Sequence, residues 1–141
     1  MIYYYNYNEY LQSDVYARGA DIVKKTNEIW TVVTPQMHRR LKEYGEENKI
    51  AATRAKMIMY ILFHFHPRQL LEDYTFRTKE GKMVNIKVSD TELAYIENLA
   101  QKYNVTISRL LRNMAYTYFY TIDKEEMVDG SIDKQKKQAM E

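Results

Sequence analysis

Residues 83–119, MVNIKVSDTELAYIENLAQKYNVTISRLLRNMAYTYF, read as one short strand followed by two helices. From Met83 to Val88 the apolar side chains Val84, Ile86 and Val88 alternate with Asn85 and Lys87, the two-residue period of a strand with one buried face. Ser89 is followed three residues later by Glu92, a hydroxyl cap with a carboxylate that reaches back, so a helix starts there. Leu93, Ile96, Leu99, Ala100 and Tyr103 then recur at helical spacing, and Asn104 stands where a left-handed residue closes a helix. A second helix starts at Thr106. Its stripe is Ile107, Leu110, Leu111, Met114, Ala115 and Tyr118, and the pattern turns Ser108 and Arg109 away from it.

Residues 28–65 repeat this plan with different side chains. At an offset of 55, Ile29, Thr31 and Val33 fall on Val84, Ile86 and Val88, Thr34 on Ser89, and Leu41 and Tyr44 on Ile96 and Leu99. Beyond the inter-helix turn the offset becomes 53, placing Thr53 on Thr106, Met57 and Ile58 on Leu110 and Leu111, and Ile61 on Met114. The first copy has therefore gained two residues around Lys49 to Ala52. Thr34-Pro35 is a cap with proline at the first helical position, and His66-Pro67 ends the second helix of this copy. The shared order of strand, cap, helix, turn, cap and helix predicts a duplicated unit whose core closes only when both copies interlock.

Val84 to Ser89, Leu93, Ile96 and the run from Val105 to Arg112 resemble the ribbon-helix-helix class of DNA-binding proteins. The resemblance implies a mostly α fold with a short two-stranded antiparallel β-ribbon, here a tandem pseudo-dimer within one chain. It is similar to tandem regulators, some of them encoded by viruses of hyperthermophilic archaea. The implied function is sequence-specific transcription regulation on double-stranded DNA, with the ribbon in the major groove and homo-oligomers binding cooperatively side by side. The expected location is the cytoplasm, or the host cytoplasm for a viral protein. Boundaries follow: 1–26 a Tyr-rich arm with a short helix, 27–66 and 83–122 the two repeats, 67–82 a linker, and 123–141 a polar tail read as a frayed helix or disordered end.

The alternation that buries Val84, Ile86 and Val88 turns Asn85 and Lys87 outward, an amide and an ammonium suited to adenine and guanine edges. The resemblance assigns the turn at Thr106, Ser108 and Arg109 to DNA phosphate, consistent with the free N–H groups at a helix start, and Thr53, Arg54 and Lys56 to a second clamp. The first strand admits two registers. The aligned one turns Trp30 and Val32 outward. A one-residue slip turns out Asn27, Ile29 and Thr31, buries Trp30 and makes Thr31 a base contact, and the gain from burying a large aromatic favours the slip.

The 141 residues, 45% apolar, suit one domain with a modest core. The net charge of +2 is unevenly spread: residues 24–122 hold 16 Lys and Arg against 10 Asp and Glu. The predicted repeats are thus the basic part, with a small to moderate salt dependence expected. The absence of cysteine excludes disulfides and thiolate metal sites. The opening MIYYYNYNEY, with five tyrosines in ten residues, shows neither a signal peptide nor a membrane span. His38, His64 and His66 lack metal-ligand spacing, and no nucleophile set or Gly-rich phosphate loop accompanies them, so neither an enzyme nor a bound metal or cofactor is expected. Arg68 to Tyr74 suggest a helical turn, and Thr75 to Thr78 an extension of the sheet. Two other readings share the pattern: a Tyr-rich structural protein coating nucleic acid without sequence preference, and an antitoxin or plasmid-copy repressor of the same fold.

Overall fold

The computed structural model describes residues 26–140, with side chains described through residue 125. The expected arm and helix before Thr26 lie outside the described residues. Strand β1 (Asn27–Val33) leads into helices α1 (Pro35–Glu47) and α2 (Arg54–His64). Strand β2 (Lys82–Val88) leads into α3 (Asp90–Tyr103) and α4 (Ile107–Met140). The described residues are mostly helical, with one two-stranded antiparallel sheet.

Local chemistry sets the helix ends as anticipated. Ser89 Oγ accepts from the Glu92 amide at 3.1 Å while Glu92 Oε1 accepts from the Ser89 amide at 2.8 Å, a complete capping box. Thr34 Oγ1 accepts from the Met37 amide at 3.0 Å, with Pro35 at the first helical position. Both inter-helix turns close in the same way. Lys49 and Asn104 each have φ 56°, the Ile50 amide donates to Gly45 O at 2.8 Å, and the Val105 amide donates to Ala100 O at 3.0 Å. These are Schellman turns, and their members differ by 55 in number throughout.

The ribbon pairs Ile29 with Ile86, Trp30 with Asn85 and Thr31 with Val84. Ile29, Thr31 and Val33 therefore face inward with Val84, Ile86 and Val88, and all six are buried. Trp30 is 55% exposed while Thr31 is fully buried, so the slipped register and the outward Thr31 are corrected. The slip would trade one indole for Ile29 and Val33, and would carry the Glu28 carboxylate into the core. Packing on the inner face is crossed: α4 lies chiefly on β1 and α2 chiefly on β2. The core joins Leu41, Met57, Ile61 and Leu62 with Ile96, Leu110, Leu111 and Met114.

Two other expectations are corrected. Residues 68–74 form no helix; the Leu71 and Asp73 amides and the Glu72 carboxylate bind α4 side chains instead. Thr75–Thr78 add no strand, and a 3-10 turn, Thr78–Glu80, precedes β2. The last helix runs to Met140, through the segment expected as a frayed helix or disordered end, and its Asp123 carboxylate pairs with Arg40 of α1, Nη1 to Oδ2 at 2.7 Å.

Gly81 abuts the first strand: a Cβ there would stand 2.1 Å from Val32 Cγ1. Gly81→Ala should therefore destabilise the fold by about 1–3 kcal/mol, the usual cost of overpacking. Denaturant unfolding at an unchanged slope checks this, and a variant as stable as the parent would refute the close approach.

Candidate nucleic-acid interface

Alternation along the ribbon places Glu28, Trp30 and Val32 of β1 on the outward face with Met83, Asn85 and Lys87 of β2. Cross-strand neighbours are Glu28 and Lys87, Trp30 and Asn85, and Val32 and Met83. Asn85 and Lys87 are exposed on this face. One end of the ribbon thus carries a carboxylate directly opposite an ammonium, and the other is apolar, with Val32 half-buried beneath Gly81.

Both second helices start on a threonine. Thr53 Oγ1 accepts from the Lys56 amide at 3.2 Å, and Thr106 Oγ1 accepts from the Arg109 amide at 3.3 Å. At the α2 start Lys56 is exposed, whereas half-buried Arg54 donates from Nε to His38 O at 2.6 Å. Burial first, then the charges of Arg54 and Lys82, hold the His38 imidazole below its ordinary value. The two smaller contributions place the Arg54 and Lys82 cations beside His38.

The α4 start is more encumbered. Ser108 is half-buried, and its Oγ donates to Thr31 Oγ1 at 3.4 Å instead of turning away from the fold. Thr31 Oγ1 in turn donates to Ser108 O at 2.6 Å. Thr31 and Ser108 thus meet each other inside. Arg109 donates from Nε to Glu72 Oε2 at 3.0 Å, and Asn113 Nδ2 donates to the same oxygen at 2.7 Å. This bond to Arg109 is the main reason the Glu72 carboxyl lies below its ordinary value. Asn113 Oδ1 also accepts from the Asp73 amide at 3.0 Å, and Thr117 Oγ1 accepts from the Leu71 amide at 2.9 Å. The linker is thereby strapped to α4.

Arg112 forms the floor of this region. It donates from Nη1 to Val32 O at 3.1 Å and lies 4.0 Å over the Phe76 ring. Its Nε is buried with no hydrogen-bond partner among the described residues, and burial is the largest influence lowering its pKa.

Glu72, Arg112, Asn113 and Thr117 received no role from the sequence. The only signal was the i, i+4 pair Asn113 and Thr117 flanking the apolar stripe, with nothing to say that the linker would meet it. Comparison with protein-family models, curated proteins and solved structures finds no match to this chain.

Thr31→Val should cost about 1 kcal/mol, the net worth of one buried hydrogen bond. Denaturant unfolding reads it, and an unchanged midpoint would mean that the hydroxyl does not bind Ser108. Glu72 and Asp123, whose ordinary values are 4.5 and 3.8, are both lowered mainly by hydrogen bonds from arginine, Arg109 and Arg40 respectively. Their stabilisation is present above those values and is lost as pH falls through the lower folded ones. The acid limb of the stability curve should flatten in the double variant Glu72→Gln, Asp123→Asn, and an unchanged limb would refute both pairs.

Proposed function

We propose that this chain is a sequence-specific, double-stranded DNA-binding transcription regulator, built as a tandem ribbon-helix-helix pseudo-dimer that lays its ribbon in the major groove. The observation that carries the reading is the two-stranded ribbon with Asn85 and Lys87 exposed outward, accompanied by two similarly capped helix starts. A ribbon of this width fits the major groove, and these two side chains suit adenine and guanine edges. Lys56 and the Arg54 and Lys82 cations would hold phosphate at one helix start, and Thr106 and Arg109 at the other.

The duplication is supported by more than a shared pattern. The hydroxyl caps of the first helices and both Schellman turns recur at the 55-residue offset, and the threonine caps of the second helices at 53. Trp30 plus 55 is Asn85, its own cross-strand partner, so an approximate two-fold axis relating the halves would pass through that pair. On this reading a larger operator takes several chains side by side in the cytoplasm, or in the host cytoplasm for a viral protein. The Glu28 carboxylate opposite Lys87 favours a second reading, coating of nucleic acid without sequence preference, because it offsets the charge of one base reader.

Selection from a random duplex pool at moderate salt, with the Asn85→Ala, Lys87→Ala double variant in parallel, separates the two. The expected result is an enriched motif that the variant loses, each base contact contributing about 1–3 kcal/mol. Binding with no enrichment would move the chain to the coating role. Failure to bind any duplex would overturn both readings.

A further inference from the structure

The outward face of the ribbon changes character along its length, from the charged Glu28 and Lys87, through Trp30 and Asn85, to Val32 and Met83. Trp30 is 55% exposed and Met83 59%, outside the core that their strand neighbours fill. Met83 precedes Asn85 by two residues on β2, so it is the diagonal neighbour of Trp30 on the same face. Between and beside them stand Asn85 and Lys87, which break the face into a mosaic rather than the continuous apolar patch that a protein partner covers. The first turns of α4 reach this end of the ribbon: Thr31 bonds Ser108 there, and Arg112 bonds Val32 O. The apolar side chains therefore lie beside the polar base-reading groups, toward the end where exposed Lys82 opens β2. Among the base edges of the major groove, one apolar group matches such a strip, the C5 methyl of thymine.

We propose that Trp30 and Met83 select thymine through its C5 methyl group, so that the target duplex is bipartite. Thymine lies under the Val32–Met83 end, and purines lie under Asn85 and Lys87. The inference rests on the ribbon entering the major groove. Trp30 and Met83 are specificity determinants that add nothing to the core.

The test titrates the full-length chain, Trp30→Ala and Met83→Ala against the duplex recovered by selection. Each is also titrated against copies of that duplex in which single thymines are replaced by uracil, which removes only the methyl. For the parent chain, one or a few positions should weaken binding by about fourfold per methyl, the worth of one buried carbon. That loss should vanish in Met83→Ala or Trp30→Ala. Uracil duplexes bound as tightly as thymine duplexes would overturn the proposal, as would an equal loss in parent and variants, which would place the methyl effect in duplex shape. In both cases a preference still lost by Asn85→Ala leaves the DNA reading standing, whereas no sequence preference at all overturns both. Uracil-insensitive binding together with self-association abolished by Trp30→Ala would assign the face to a second copy of the chain.

Discussion

Antiparallel pairing of β1 with β2 is the constraint on which the rest of this structure depends. Two strands alone are marginal in water, and here each has no other strand partner among the described residues. The ribbon persists because its inner face is covered by second helices arriving crosswise, α4 on β1 and α2 on β2. Thr31 and Ser108 tie that crossing at the backbone, as does the Arg112 bond to Val32 O. Neither half keeps its inner strand face dry without the other, so pairing and core formation are one event.

The same pairing decides what the outward face presents. Once Ile29, Thr31 and Val33 are committed inward, Glu28, Trp30 and Val32 have no alternative but to point out, because the strand period is two. An exposed tryptophan is locally unfavourable, and judging β1 by Trp30 alone gives the wrong face. The deciding residues are Glu28, Ile29 and Val33 together, and their weight appears only when the partner strand and both second helices are in place. The terminal chemistry of the helices, by contrast, was legible at Ser89 with Glu92, at Thr34 with Pro35 and at Asn104, because capping is settled within four residues. Asn85 and Lys87 lie on the anticipated face because β2 has clean alternation and no competing aromatic.

The linker was the least legible segment, for a related reason. Glu72 is separated by 37 residues from Arg109 and by 41 from Asn113, and no local pattern connects them. Its effect on the candidate interface is nonetheless direct. A carboxylate held on Arg109 lowers the positive potential at the α4 start, whereas at the α2 start neither Arg54 nor Lys56 enters an ion pair among the described residues. The two helix starts have nearly the same cap geometry and different electrostatics.

That difference and the ribbon's own polarity point the same way. Two identical copies related by a two-fold axis would present the same face in either direction. Here the central pair of the outward face is a tryptophan on one strand and an asparagine on the other, flanked by a charged pair on one side and an apolar pair on the other. Reversing such a face on any partner exchanges Lys87 with Val32 and Glu28 with Met83, placing charge where apolar contact was and the reverse. The energetic penalty of that exchange gives a single chain one preferred orientation. Under the proposed duplication, joining two halves in one chain makes that polarity possible, because each half diverges without altering a twin.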